Sequence, residues 1–324
     1  MTDLRHIDAL VTAALDEDAP WGDLTSEALI PAEALLDARL VAREPGVFSG
    51  SEVFAAAFRL VDPQIRVHLL AADGERFESG AVLAEVSGPA RGILQAERIG
   101  LNFVQRMSGI ATQTARFVAA AAGTGARIVD TRKTTPGLRL LERQAVRDGG
   151  GRNHRTTLSD AVMVKDNHLA AVLGAGLSVT EALVQMRARL PHTTHVEVEV
   201  DRLDQIPAVL AAGVDTVMLD NFTLDELRQG VALIRGAALV EASGGVDLDS
   251  VAGIAATGVD VISVGALTHS VRSLDLGLDV ASRDAAVDAA VDASVAASVA
   301  ASVDPATAEA RLPNEAAPEP ATAP

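Results

Sequence analysis

The chain has no cysteine and no tyrosine, and aromatic residues make up 2% of its 324 positions. Without cysteine it can form no disulfide and use no thiol nucleophile, which agrees with a reducing compartment. The lack of aromatics, with a formal net charge of -17, argues against the broadly basic, base-stacking surface that nucleic acid asks for. No stretch holds the roughly 18 continuous apolar residues of a membrane helix, and the positive mean hydropathy of +0.24 comes largely from alanine and valine. The opening MTDLRHIDALVTAAL interrupts its apolar residues with Asp3, Arg5 and Asp8, unlike the core of a signal peptide. A cytoplasmic protein with neither membrane nor nucleic-acid partners is expected.

Lysine is almost as scarce. Of the 27 basic residues only Lys133 and Lys165 are lysines, and both fall in a stretch that holds seven of the arginines. Lysine is a compact, mobile charge with a tunable pKa and arginine a rigid fork, so the two are not exchangeable where chemistry is done. From Arg127 to Lys165 nine basic residues meet four acidic ones, a local balance of +5 in an acidic chain. Such an island suggests a small polyanionic ligand.

Between residues 126 and 265 short apolar runs alternate with segments of helical spacing. Strands are expected at 127–129, 161–164, 195–200, 216–219, 239–242 and 259–264, with helices such as 203–212 and 224–235 between them. This alternation indicates parallel βα units in a barrel or an open sheet. Before it, apolar runs at 38–42, 65–70 and 82–86, separated by turn signals, indicate an antiparallel sheet with helices. The expected organisation is an N-terminal α/β domain over 1–105, a barrel domain over 106–270 and a return segment over 271–283. A low-complexity tail at 284–324 follows, in which Val287, Val291, Val295, Val299 and Val303 recur every four residues.

Each expected barrel strand delivers polar residues or glycine at its carboxyl end, where parallel folds bind ligands. The first leads into Asp130-Thr131-Arg132-Lys133, the second into Lys165, and the fourth into Asp220-Asn221. The fifth and sixth lead into Ser243-Gly244-Gly245 and Gly265-Ala266, turns suited to a phosphate on backbone N–H groups. Glu197 and Glu199 lie two apart on a strand, so they share its inner face and require cations or a metal as partners. Glu199 and Asp220 suit either Mg²⁺ or sugar hydroxyls, an all-oxygen set favouring magnesium over zinc. His154 and His168 lack zinc-ligand spacing, so a structural or substrate-orienting role is expected for them. The run RQAVRDGGGRNHR over 143–155 reads as a flexible loop whose arginines, Arg147, Arg152 and Arg155, suit carboxylates or phosphates.

Nine motifs in order resemble the quinolinate phosphoribosyltransferase family. They are EDAPWGDLTS (17–26), LNFVQRMSGIAT (101–112), DTRKTTPGLR (130–139), GGGRNHR (149–155), VKDNH (164–168), VEVEVD (196–201), MLDNF (218–222), EASGGV (241–246) and ISVGALTHS (262–270). The resemblance implies an N-terminal α/β sandwich followed by an incomplete α/β barrel, acting at least as a homodimer. It implies transfer of phosphoribose from 5-phosphoribosyl 1-pyrophosphate to quinolinate, with loss of pyrophosphate and CO₂, a step of NAD biosynthesis. By the same resemblance Arg106, Arg132, His154, Arg155 and Lys165 hold the quinolinate carboxylates, Arg106 reaching the neighbouring subunit's site. Lys133 neutralises the leaving pyrophosphate, Glu199 and Asp220 handle ribose hydroxyls and Mg²⁺, and Ser243, Gly244, Gly265 and His269 form the 5′-phosphate side. Two rival readings are phosphoribosyl transfer to a monocarboxylate such as nicotinate, and a barrel lyase with Lys165 as a Schiff-base nucleophile.

Overall fold

The computed structural model describes residues 4–174 and 176–280; the expected tail, with its valine stripe, lies outside them. The N-terminal half is built on a four-stranded sheet in the order Leu276–Val280, Leu35–Ala42, Val82–Pro89, Arg66–Leu69. Leu35–Ala42 and Arg66–Leu69 both run antiparallel to Val82–Pro89. Alternation sets the faces: Ala38, Leu40 and Ala42 are buried, whereas Arg39 pairs across the exposed side with Glu85 at 3.4 Å. The return segment therefore contributes an edge strand to the N-terminal sheet.

Helices Leu4–Asp18 and Ser51–Val61 pack on each other and against the 31-residue helix Ala90–Ala120. Phe54 and Phe58, fully buried, meet edge to face at 5.0 Å. Gly100 of the long helix lets them approach, since a Cβ there would lie 3.2 Å from Phe54 and 3.3 Å from Phe58. The boundary expected at residue 105 falls inside this helix, which runs unbroken from the sandwich side to the barrel side.

The second sheet has six parallel strands in the order Arg127–Val129, Val261–Ser263, Leu239–Ser243, Thr216–Asp220, Val196–Val200, Val162–Val164. These are the six expected runs, with ends shifted by up to two residues. The first and second strands in sequence are the two edges, so a seam separates them where a closed barrel would pair them. Arg152 occupies the first side of the seam: its N–H donates to Ile128 and its carbonyl accepts from the Asp130 N–H, at 2.9 and 3.1 Å. On the other side the Arg155 guanidinium donates to the Ala161 carbonyl at 2.9 Å. Outside the sheet, helices Val179–Arg187 and Leu224–Ile234 start in capping boxes, Ser178 with Glu181 and Thr223 with Glu226.

Candidate active site

A cup of about 430 Å³ opens at the carboxyl ends of the barrel strands. Of the twelve residues expected at the site, eight line it: Arg132, Lys133, His154, Arg155, Lys165, Glu199, Asp220 and Ser243. Gly265 and His269 adjoin its rim beside Lys133, since a Cβ on Gly265 would lie 3.0 Å from both the His269 ring and the Lys133 side chain. Gly244 turns with φ +91°, and a side chain there would collide with Asn221, whose amide reaches within 2.2 Å of the Cβ position.

Strand alternation puts Val196, Val198 and Val200 in the outer core and both glutamates inside. Each finds a cation. Lys165 donates to Glu199 from the adjacent strand. His154 Nε2 lies 3.0 Å from Glu197 and 3.6 Å from Glu241, both glutamates only 3% exposed beneath the cup. Burial alone would depress the His154 ring, but its bonds to the two glutamates push it up to about 10. The Arg155 N–H directed at Nδ1, at 2.7 Å, opposes protonation of that nitrogen. One close ion pair to Glu197 and the negative charge of Glu241 beside it outweigh that backbone contact, so the direction is upward. Burial likewise raises Glu197. His154, Glu197 and Glu241 come close enough to suggest a metal cluster. With Nδ1 facing the Arg155 N–H, a neutral ring would carry its hydrogen on Nε2 toward Glu197, a pairing that joins the histidine to the acidic pair directly.

The cup is cationic where Arg132, Lys133 and Arg155 converge. Arg132 Nε is buried without a hydrogen-bond partner, a donor that a carboxylate oxygen would satisfy. Lys133 is set by its backbone: its N–H donates to Thr131 Oγ1 and its carbonyl accepts from Thr268, at 3.1 and 2.8 Å. Five lining residues lie outside those twelve: Thr131, Glu241 and Ser263, which end or follow expected strands, and the two apolar ones, Met163 and Met218. Met163 stands in register with Glu197 and Met218 with Glu199 on the strand between them, two residues before the inward-facing Lys165 and Asp220, and that period of two is the signal that could have found them.

Three expectations for the basic stretch change. The run over 143–155 is not a flexible loop: Arg143 and Arg147 sit on helix Arg139–Asp148, and Gly149 and Gly151 pack against the long helix. A Cβ on Gly149 would lie 2.4 Å from the Ala111 carbonyl, so this glycine serves close approach. Arg147 turns to Asn153 and Gln144, and Arg152 lines a second cavity at the amino ends of the strands. Neither lines the cup. His168 accepts the Lys165 N–H at 3.0 Å, an orienting role. Arg106 is engaged within its own chain, donating to buried Glu142 at 2.5 Å, to Thr135 Oγ1 at 2.9 Å and to the Thr268 carbonyl at 3.0 Å.

An open parallel barrel with cations and carboxylates converging at its carboxyl mouth defines an α/β-barrel protein built for small polyanions. Residues 23–108 match the model of the quinolinate phosphoribosyl transferase N-terminal domain and residues 110–279 that of its C-terminal domain, so the chain belongs to that family. It is 47% identical over 279 residues to the nicotinate-nucleotide pyrophosphorylase [carboxylating] of Mycobacterium leprae, covering 83% of this chain and 95% of that protein. A chloroplastic relative of the same name from Arabidopsis thaliana is 42% identical over 84% of this chain and 82% of its own length. The solved nicotinate-nucleotide pyrophosphorylase of Francisella tularensis superposes with a TM-score of 0.81 at 36% identity, covering 87% of this chain and 98% of that one.

Proposed function

We propose that this chain transfers phosphoribose from 5-phosphoribosyl 1-pyrophosphate to quinolinate, yielding nicotinate mononucleotide, pyrophosphate and CO₂, in NAD biosynthesis. The observation that carries this reading is the buried, unpartnered Arg132 Nε within a cup that Arg155, Lys133 and Lys165 also line. Convergent guanidinium and ammonium groups suit two adjacent carboxylates better than one. Met163 and Met218 offer the soft apolar wall that an aromatic ring prefers.

In the first step the ring nitrogen attacks the anomeric carbon as pyrophosphate departs. Glu199 and Asp220 stabilise the oxocarbenium character of that transition state, and Lys133 neutralises the leaving oxygens. In the second step the carboxylate beside the now quaternary nitrogen leaves as CO₂, its bonding electrons remain on the ring carbon, and a proton from the medium replaces it. Arg132, Arg155 and Lys165 hold the ring in place, so positioning is most of the contribution. Glu199 and Asp220, all-oxygen donors on neighbouring strands, fit Mg²⁺. When bound, the ion supplies charge neutralisation for pyrophosphate.

A homodimer in a cytoplasmic setting completes the proposal, with Arg106 exchanging its own-chain partners for the neighbouring site. It is supported by the exposure of Trp21 (91%), Leu24 (80%) and Leu29 (75%) along one N-terminal segment, apolar surface of a kind that a second copy would cover.

The test supplies the chain with phosphoribosyl pyrophosphate, Mg²⁺ and either quinolinate or nicotinate. Nicotinate mononucleotide with stoichiometric CO₂ from quinolinate, abolished by EDTA, is expected. Equal turnover of nicotinate without CO₂ would overturn the assignment.

A further inference from the structure

The two guanidinium groups of the cup, Arg132 and Arg155, come from opposite sides of one buried carboxylate. Asp130, fully buried, lies two residues before Arg132. Its side chain accepts from the His154 N–H at 2.8 Å, from the Asn153 amide at 2.6 Å and from Arg143 at 3.3 Å. His154 in turn directly precedes Arg155.

Arg143, 5% exposed, adds a second constraint from helix Arg139–Asp148. Its guanidinium donates to the Arg155 carbonyl at 3.0 Å and to the His154 carbonyl. Arg139, one turn earlier on the same helix, donates to the Thr156 carbonyl and to Thr134 Oγ1, both at 3.0 Å. Three consecutive seam carbonyls are therefore held by two forks from one helix. Desolvation opposes this arrangement, since burial lowers the Arg143 pKa and raises that of Asp130. An ordinary surface turn would leave those carbonyls to water. A lysine ammonium lacks the planar fork whose two nitrogens here reach both carbonyls and Asp130 in fixed geometry.

We propose that Asp130 and Arg143 are positioning residues that fix the spacing of Arg132 and Arg155 across the barrel seam, and thereby set the preference for an ortho-dicarboxylate over a monocarboxylate. The inference rests on the quinolinate reading for its substrate, but its geometry is independent of turnover. Neither residue lines the cup. Misplacing a clamp by about 1 Å costs up to about 100-fold, and the loss falls on the acid held between the two guanidiniums.

Arg143→Lys keeps the charge and removes the fork. In steady-state assays it is expected to raise the KM for quinolinate at least about tenfold, with kcat and the KM for phosphoribosyl pyrophosphate near their parental values. With Arg143→Ala, added guanidinium restores the quinolinate KM and ethylammonium does not. In parallel, calorimetry compares phthalate, an ortho-dicarboxylate without a ring nitrogen, with benzoate. The unsubstituted protein prefers phthalate, and Arg143→Lys narrows that preference. If the parent binds phthalate selectively yet fails to turn over quinolinate, the reaction assignment falls and the seam proposal stands. If Arg143→Lys leaves the phthalate-to-benzoate ratio and the quinolinate KM unchanged, the seam proposal is wrong. It is equally wrong if all constants move together. Should Arg143→Lys not fold by circular dichroism, Arg139→Lys carries the same comparison through Thr156 alone, with the same outcomes.

Discussion

Lys165 and Glu199 form an ion pair across neighbouring strands inside the cup, joining the cationic side to the acidic side. Removing the cation leaves a carboxylate, only 15% exposed at its side chain, facing an incoming polyanion. Lys165→Ala is therefore expected to raise the quinolinate KM by roughly tenfold or more, the scale of one charge-assisted bond. Initial rates at saturating phosphoribosyl pyrophosphate measure it. Borohydride should trap no substrate adduct on Lys165, which separates this role from a Schiff base.

Lys133 and Arg155 share the cup but are assigned to different events. Lys133→Ala should lower kcat more than it raises the quinolinate KM, whereas Arg155→Ala should act chiefly on that KM. A reversed pattern would exchange their roles.

His154 gives a pH dependence of stability. Burial works to lower its ring pKa, but Glu197 and Glu241 hold it above its ordinary value of 6.5, at about 10. A group raised on folding stabilises fully below the unfolded value, so this contribution is complete below pH 6.5 and fades as pH climbs through about 10. Thermal melts from pH 6 to 10 should show a declining midpoint, with a smaller decline in Glu241→Gln. Imidazole resonances of His154 that titrate near 6.5 would contradict it.

Arg106 supplies the test of assembly. If it serves the neighbouring site, mixing Arg106→Ala with Lys165→Ala protein should regenerate activity in heterodimers. Buried Glu142 loses its counter-ion in the first variant, so Arg106→Ala combined with Glu142→Gln repeats the mixture without an orphaned charge. Recovery in neither mixture would place the action of Arg106 within its own chain.

Gly149→Ala should destabilise without touching the cup. Its new methyl would meet the Ala111 carbonyl at 2.4 Å and Thr114 at 2.6 Å. A cost of ~1–3 kcal/mol is expected for such overpacking, and denaturant titration measures it.

The strands were readable because their apolar runs are short and end in polar or glycine residues, and the inward glutamates followed from the two-residue period of VEVEV. The seam was not readable. Asp130 and Arg143 lie among residues that do line the cup, and composition cannot distinguish an arginine that grips a ligand from one that grips a carbonyl. The three glycines looked mobile because glycine signals both freedom and tight packing, and only the opposing helix decides between them. The boundary near residue 105 lies close to residue 109, where the two family-domain matches meet, yet no break in the chain marks it, because helix Ala90–Ala120 continues its hydrogen bonds through it. Met163 and Met218 lie within the apolar runs expected as strands, where an apolar residue that faces a ligand carries the same signal as one that faces the core.

That shared helix, Ala90–Ala120, also governs how the molecule comes apart. Residues through Asp279 cluster as one unit around one continuous hydrophobic core, and fraying either end of a rod packed on elements of both sheets strips apolar cover from that shared core. Heating should produce a single melting event, with neither half surviving as a separate fragment, and a protease nick within the rod should release both together.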